Sequence, residues 1–168
     1  MDAYDFLDNE PEMRKLLGDN YIRPKNTVFM GHSYGGGTIV QAESMLAGRQ
    51  VKALVALDPW LVPVKEELLS RGAQLPTLSI ENEDFTRDAA IAAANQRFWE
   101  CSSPSSLIRL NLKHGHHLHQ CDLSFILGST LGLVNQPELS WEWHSTNIGI
   151  IETFLGGLDK HDSLGQIE

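Results

Sequence analysis

Short apolar runs alternate along this chain with segments in which apolar residues recur at helical spacing. Four runs have the length and composition of β-strands: residues 27–31, 51–57, 76–81 and 107–113. The second, VKALVAL, is almost continuously apolar, which is typical of a parallel strand buried on both faces of a sheet. The pattern therefore predicts four strands, with 51–57 inside the sheet.

The segments between and after these runs are predicted to be helical. They are residues 38–48, a short helix in 63–72 that ends at Gly72, an alanine-rich helix in 86–100, and two closing segments, 121–132 and 144–158. Strands that alternate with helices in this way imply βαβ crossovers and a parallel sheet flanked by helices. We expect residues 1–168 to form one α/β domain, or part of one.

The amino-acid composition and net charge limit which molecules this chain could bind. The chain has 168 residues, of which 42% are hydrophobic, so it can bury one sizeable core. Its formal net charge of −9 leaves no excess of Lys and Arg to neutralise phosphates or anionic lipid headgroups. We therefore expect no nucleic acid as a partner and no docking on a membrane through a basic patch.

The two cysteines, Cys101 and Cys121, are too few for a disulfide framework. They are expected to be separate, buried thiols, which favours a reducing compartment such as the cytoplasm. No stretch approaches the eighteen or so apolar residues of a membrane-spanning helix. The acidic start, MDAYDFLDNEPEMRKLL, is unlike a signal peptide.

Residues 31–35 read Gly-His-Ser-Tyr-Gly and fit the pattern G-x-S-x-G. A nucleophilic serine needs a sharp strand-to-helix turn that exposes its hydroxyl, and small flanking residues let strand and helix approach. Here an apolar run leads in and a helical segment leads out. Ser33 is thus the candidate nucleophile, and the backbone N–H of Tyr34 at the start of that helix is the natural oxyanion donor.

A nucleophilic serine also needs a base and an acid that orients the base. Asp58 directly follows the strand 51–57, where sites in open parallel sheets lie, and Glu81 and Asp84 after the next strand are rival acids. The candidate bases follow the last strand: His114, His116, His117 and His119. A metal site is a less favoured interpretation of these histidines, because the chain has neither an HExxH motif nor a nearby cysteine pair. No cofactor is expected.

Two further residues are candidates for contact with substrate. Trp60, beside Asp58, is placed to line a pocket. His32, next to the candidate nucleophile, is typical of a packing residue and is the second candidate in the pocket.

Four segments in series resemble one family. GHSYGGGTIVQ, VALDPWLVPV, LPTLSIENEDF and HQCDLSF are similar to the platelet-activating-factor acetylhydrolases, the lipoprotein-associated and intracellular type II phospholipases A2. That family has a G-H-S-F-G-G-A-T elbow, then A-L-D-x-W-M/L-x-P, a strand ending in I-N-S-E-x-F, and an H-Q/R-x-x-x-D-F segment. Order and approximate spacing agree from about residue 24 to residue 127.

The resemblance implies an α/β-hydrolase fold with Ser33 as nucleophile, Asp58 as acid and His119 as base. It also implies calcium-independent hydrolysis of the sn-2 acetyl or short acyl ester of platelet-activating factor and related phospholipids, with peripheral contact to a membrane or lipoprotein. The chain departs from the family pattern at Tyr34, which replaces Phe, at Ser124, which replaces Asp, and in the inserted histidines.

The resemblance covers the C-terminal part of such an enzyme. Thirty-two residues precede Ser33, whereas family members carry a long segment there, with the first strands and a second oxyanion donor. The expectation is a partial domain that lacks one strand neighbour and is weakly active alone. The alternatives are another α/β-hydrolase carboxylesterase or lipase, and a catalytically weak fragment that serves as a binding module.

Overall fold

The computed structural model describes residues 27–45, 51–122 and 140–164, together with the single positions 11 and 15. The regular elements of the three ranges are β1 (Thr27–His32), α1 (Tyr34–Glu43), β2 (Val51–Leu57), α2 (Glu66–Arg71), β3 (Thr77–Asn82), α3 (Ala89–Cys101), β4 (Leu107–Leu112) and α4 (Ser140–Leu164). Two short 3₁₀ helices, Phe85–Arg87 and His117–Gln120, follow β3 and β4. All four predicted strands are present, within one or two residues of their expected bounds.

The four strands form one parallel sheet in the order β1-β2-β3-β4. Because the strands are parallel and adjacent in chain order, their carboxyl ends meet at one edge of the sheet. Gly31 pairs with Ala56, and Ile80 of β3 pairs with Leu57 and with Leu110 of β4. The register therefore brings the residues that follow β1, β2 and β3 to the same edge.

Helices cover both faces of the sheet. On one face, Leu54 and Ala56 of β2 pack with Ile39 of α1. On the other face, Val55 and Leu57 cluster with residues of β3, β4 and α4. Both faces of β2 are buried, as its continuous apolar sequence predicts, and the architecture is that of an α/β-hydrolase-type fold. A further cluster, centred on Leu61, Phe98 and Trp99, joins α1, α2 and α3.

The alanine-rich segment differs from the single helix predicted for 86–100. Asp88 has an extended backbone, and its carboxylate accepts hydrogen bonds from the N–H groups of Ala90 and Ile91 at 2.9 and 3.0 Å. This cap starts α3 at Ala89, and the preceding residues form the separate 3₁₀ turn Phe85–Arg87. Gly72 ends α2 as predicted, with a positive φ of 68°.

Two sequence expectations have other outcomes. Cys101 and Cys121 form no disulfide, but Cys101 is exposed and Cys121 is half-buried, so the expectation of two buried thiols was wrong. Most of the closing segment predicted for 121–132 lies outside the described residues. Within the described ranges, no helix has the length and apolar character needed to cross a membrane.

Candidate active site

Ser33 is the single residue between β1 and α1, and its backbone is strained, with φ 57° and ψ −119°. Its N–H donates to the carbonyl of Leu57 at 2.9 Å, and its own carbonyl accepts from the N–H of Trp60 at 2.9 Å. Both bonds reach the end of β2 and the loop after it. The chain thus turns sharply at Ser33 while its backbone stays tied to the neighbouring strand, as a nucleophile elbow requires.

The glycines of the elbow have different roles. A Cβ atom on Gly31 would overlap the backbone carbonyl of Gly35, one on Gly36 would press on Pro59, and one on Gly37 would overlap the carbonyl oxygen of Trp60. A Cβ atom on Gly35 would meet nothing within 4 Å. The close approach of strand and helix that the motif predicts is therefore made at Gly31, against the backbone of Gly35, and Gly36 and Gly37 allow a second close approach, between α1 and the loop after β2.

Ser33, His117 and Asp58 form a continuous hydrogen-bonded chain. Oγ of Ser33 lies 3.0 Å from Nε2 of His117, and Nδ1 of His117 lies 3.1 Å from Oδ2 of Asp58. A carboxylate accepts, so Nδ1 carries the proton and Nε2 is left to accept from the serine hydroxyl. This is the relation of nucleophile, base and orienting acid found in serine hydrolases.

Asn82, the last residue of β3, holds the acid. Its backbone N–H donates to Oδ1 of Asp58 at 2.6 Å and its Nδ2 donates to Oδ2 at 2.9 Å. Burial raises the pKa of Asp58, while the hydrogen bonds from His117 and Asn82 act in the opposite direction. Asn82 also donates to the carbonyl of His116 at 3.1 Å, so one side chain fixes both the acid and the histidine loop.

The loop that carries His117 is fixed by Asp84. A carboxylate oxygen of Asp84 accepts from the N–H of His117 at 3.1 Å and lies 3.3 Å from Nε2 of His116. Nδ1 of His116 in turn accepts from the N–H of Leu118 at 3.2 Å. Asp84, considered above as a rival acid, thus contacts the backbone of His117 and not its ring.

The histidine that contacts Ser33 is His117 and not His119, the residue expected to be the base. His119 is 2% exposed, its Nδ1 accepts from the N–H of His116 at 3.0 Å, and its ring stacks on Trp143. Both are in the 3₁₀ helix His117–Gln120, where two residues of separation point side chains in different directions. The position that matches the family's histidine segment, residue 119, is therefore not the one that contacts Ser33.

The remaining candidates lie as follows. Glu81, the other rival acid, is fully buried and accepts from Trp99 Nε1 at 2.6 Å and from Arg109 Nη2 at 2.8 Å, so it is engaged away from Ser33. His114 is an exposed residue with a positive φ of 62°. Neither makes a hydrogen bond with Ser33 or Asp58 among the described contacts.

The residues predicted to meet substrate lie around the elbow. Tyr34 is the first residue of α1, so its backbone N–H has no acceptor within the helix, and its exposed ring meets Trp60 edge to face. Trp60 is 40% exposed. Nε2 of His32 donates to the carbonyl of His117 at 3.1 Å, and burial lowers the pKa of His32. His32 therefore supports the histidine loop, as a packing residue would.

Sequence reasoning missed Asn82 and Phe85. Phe85 stacks on His117 with ring centroids 4.1 Å apart. Both residues lie in the segment IENEDF, which matches the family pattern I-N-S-E-x-F, so the signal was the position of this segment after β3. Residues that follow neighbouring parallel strands converge on one edge, and that rule could have pointed to Asn82.

One group of described residues has the spacing of metal ligands, and it is the same constellation. Ligand atoms of His32, Asp58 and His117 all lie within 4.8 Å of one another. Each of these atoms already has a hydrogen-bond partner in the site. The arrangement is accounted for by the contacts to Ser33, Asn82 and the His117 carbonyl.

A parallel sheet covered by helices, with a strained serine after one strand and an acid after the next, defines an α/β-hydrolase-type domain. Residues 3–164 match the family model described as "Platelet-activating factor acetylhydrolase, isoform II". The chain belongs to this family.

Curated relatives agree with the family model. The chain is similar to proteins named platelet-activating factor acetylhydrolase from Canis lupus familiaris (30% identical over 129 residues), Cavia porcellus (26% over 126) and Gallus gallus (29% over 103). These matches cover 76%, 75% and 61% of this chain, and 27%, 27% and 23% of the relatives. The chain thus spans about a quarter of the length of the curated relatives it matches.

Proposed function

We propose that this chain carries the catalytic residues of a serine esterase that hydrolyses the sn-2 acetyl or short acyl ester of platelet-activating factor and related phospholipids. The observation that carries the proposal is the chain of contacts from Ser33 Oγ to His117 Nε2 at 3.0 Å and from His117 Nδ1 to Asp58 at 3.1 Å. The substrate class comes from the family and from the names of the relatives.

In the proposed reaction, Ser33 Oγ attacks the ester carbonyl and forms a C–O bond while His117 Nε2 takes the hydroxyl proton. Asp58 stabilises the imidazolium through Nδ1–H, and the N–H of Tyr34 donates to the oxyanion. The carbonyl then re-forms, the bond to the lysophospholipid oxygen breaks, and His117 returns the proton to that oxygen. Water, activated by His117, hydrolyses the acyl-serine and releases the carboxylic acid.

The exposed aromatic side chains beside Ser33 support an ester with an apolar portion. Trp60 is 40% exposed, Tyr34 is 62% exposed, and their rings are 6.1 Å apart. Exposed aromatic surface next to a nucleophile favours substrates that bring apolar surface to the site. Within this proposal, Tyr34 and Trp60 are the residues that substrate would touch first.

The test compares Ser33→Ala with the unchanged chain on 1-alkyl-2-acetyl-glycerophosphocholine, on a phospholipid with a long sn-2 chain, and on a simple aryl acetate. We expect hydrolysis of the acetyl phospholipid, lost by about 10⁴-fold in Ser33→Ala. Ser70→Ala, which removes an exposed hydroxyl from α2, is the matched control and should retain activity.

Each other outcome has a defined meaning. Hydrolysis of the aryl acetate alone would replace the proposed substrate class with that of a general carboxylesterase. Retained turnover in Ser33→Ala would overturn the mechanism. Loss of activity in EDTA that calcium restores would contradict the proposed metal-free reaction.

A further inference from the structure

The imidazole of His117 is covered by two aromatic rings. The Phe85 ring is stacked on it with centroids 4.1 Å apart and planes inclined by 7°. The His32 ring lies 4.5 Å away with an inclination of 34°. Two rings at these separations would overlap if they shared one face of an imidazole, so they occupy opposite faces.

Backbone structure on both sides holds the two rings in place. Phe85 begins the 3₁₀ turn after β3, where Thr86 Oγ1 donates to the carbonyl of Asn82 at 3.3 Å. His32 is the last residue of β1, and its Nε2–H donates to the carbonyl of His117 at 3.1 Å. One covering ring therefore comes from the end of β1 and the other from the turn after β3, and His117 comes from a third segment of the chain.

The proposed reaction places a positive charge on the imidazole of His117, and the two covering rings interact with that charge in different ways. The π face of Phe85 attracts a cation stacked on it. Burial lowers the pKa of His32, and the nearby His117 acts in the same direction, so the neutral form of His32 is favoured. Neither ring opposes an imidazolium at position 117.

We propose that Phe85 is a positioning residue for His117. With His32 on the opposite face, its ring prevents rotation of the imidazole, so that Nε2 remains at Ser33 while Nδ1 remains at Asp58. Its π face also stabilises the imidazolium formed when His117 takes the serine proton. This inference rests on the proposed function and adds a residue that does not touch the reacting atoms.

An aliphatic residue could fill the volume of Phe85 but could not supply an aromatic face, so substitutions separate packing from positioning. In the full chain, Phe85→Leu and Phe85→Met should lower kcat about tenfold with KM unchanged, whereas Phe85→Tyr should retain kcat within about twofold. Phe154→Leu is the matched control, because Phe154 is also half-buried but packs against the cluster between the sheet and α4. It should leave kcat unchanged.

Proton NMR supplies a readout independent of turnover. The downfield resonance of the His117 Nδ1–H that donates to Asp58 should be sharp in the unchanged chain and in Phe85→Tyr, and broadened in Phe85→Leu. A resonance equally sharp in all three would overturn the proposal, as would unchanged kcat in Phe85→Leu. A rise in KM without a fall in kcat would overturn it too, because Phe85 would then act on substrate.

Ser33→Ala, assayed in parallel, separates the two proposals. If Ser33→Ala abolishes hydrolysis and Phe85→Leu does not lower kcat, only the positioning role fails. If Ser33→Ala remains active, the proposed function fails, and the NMR comparison still decides whether Phe85 holds the ring.

Discussion

Ser33 and Asp58 share an unusual backbone conformation at the ends of adjacent strands. Both are non-glycine residues with positive φ, 57° at Ser33 and 41° at Asp58. Each N–H still continues the ladder of its strand, since Ser33 donates to Leu57 and Asp58 donates to Ile80. The regular sheet thus fixes the backbones of both strained residues at its edge, where both side chains contact His117.

The choice between His117 and His119 gives the first prediction. His117→Ala should lower kcat by about 10⁴-fold, because it removes the only imidazole that contacts both Ser33 and Asp58 among the described residues. His119→Ala should cost far less activity and chiefly lower stability, by about 1–3 kcal/mol, because that ring is buried against Trp143.

Steady-state kinetics and urea unfolding of both variants check this prediction. His114→Ala is the control, since that side chain is 89% exposed. A larger loss of kcat in His119→Ala than in His117→Ala would restore the assignment implied by the family motif.

At the level of elements, the elbow depends on how closely α1 approaches the loop after β2. The N–H of Trp60, in that loop, donates to the carbonyl of Ser33. Gly36 and Gly37 leave room for this contact, because a Cβ atom at either position would press on Pro59 or on Trp60. The backbone at Ser33 is therefore held by the packing of a helix against a loop as well as by its own turn.

The second prediction compares neighbouring glycines of α1. Gly37→Ala should destabilise the fold by about 1–3 kcal/mol and reduce activity, because its methyl group would displace the Trp60 carbonyl. Gly35→Ala meets open space and should be neutral or stabilising by up to about 1 kcal/mol, since alanine favours helix.

Urea unfolding of the two glycine variants provides the measurement, and Gly35→Ala is the matched control. Equal stability of the two variants would mean that the loop after β2 moves freely. The contact between Trp60 and Ser33 would then not depend on the glycine.

The elements were more predictable from sequence than the site. Continuous apolar character identified β2, and alternation of strands with helices gave the parallel sheet. Ser33 was recognisable from the turn that its motif demands. His117 was not recognisable as the histidine that contacts Ser33, because the spacing of residues within a loop does not determine which side chain faces the serine. Asn82 and Phe85 act through contacts between segments far apart in sequence, which periodicity does not record.

For the whole molecule, the third prediction concerns stability against pH. Burial lowers the pKa of His32 and of His119 below the usual 6.5. As pH falls, these two histidines are therefore protonated at a higher pH in the unfolded chain than in the folded chain. The stability contributed by the neutral rings is complete above about pH 6.5 and is lost as pH falls from there towards the folded pKa values.

Urea unfolding at pH 7.5 and pH 5.5 measures this effect. The raised pKa of Asp58 acts in the opposite direction, so the informative quantity is how a substitution changes the difference in unfolding free energy between the two pH values. The loss of unfolding free energy on going to pH 5.5 should be smaller in His119→Gln than in the unchanged chain, since each pKa unit is worth about 1.4 kcal/mol. Any destabilisation that does not depend on pH cancels in the difference. An unchanged difference in His119→Gln would show that His119 protonates equally in both states.

The last prediction concerns the edge of the sheet at β1. Among the described residues, β1 pairs with β2 and has no strand on its other side. A strand edge that has no partner presents backbone groups to other chains and is a route to association. Met30, 59% exposed on this strand, adds apolar surface. We expect the 168-residue chain to self-associate as its concentration rises, and Met30→Lys to reduce this association because a lysine on an edge strand opposes pairing.

Sedimentation velocity over a concentration series checks this expectation. Met45→Lys is the control, because Met45 is 75% exposed but lies beyond the end of α1. A monomer at every concentration, or equal effects of the two lysines, would show that the β1 edge is not the associating surface.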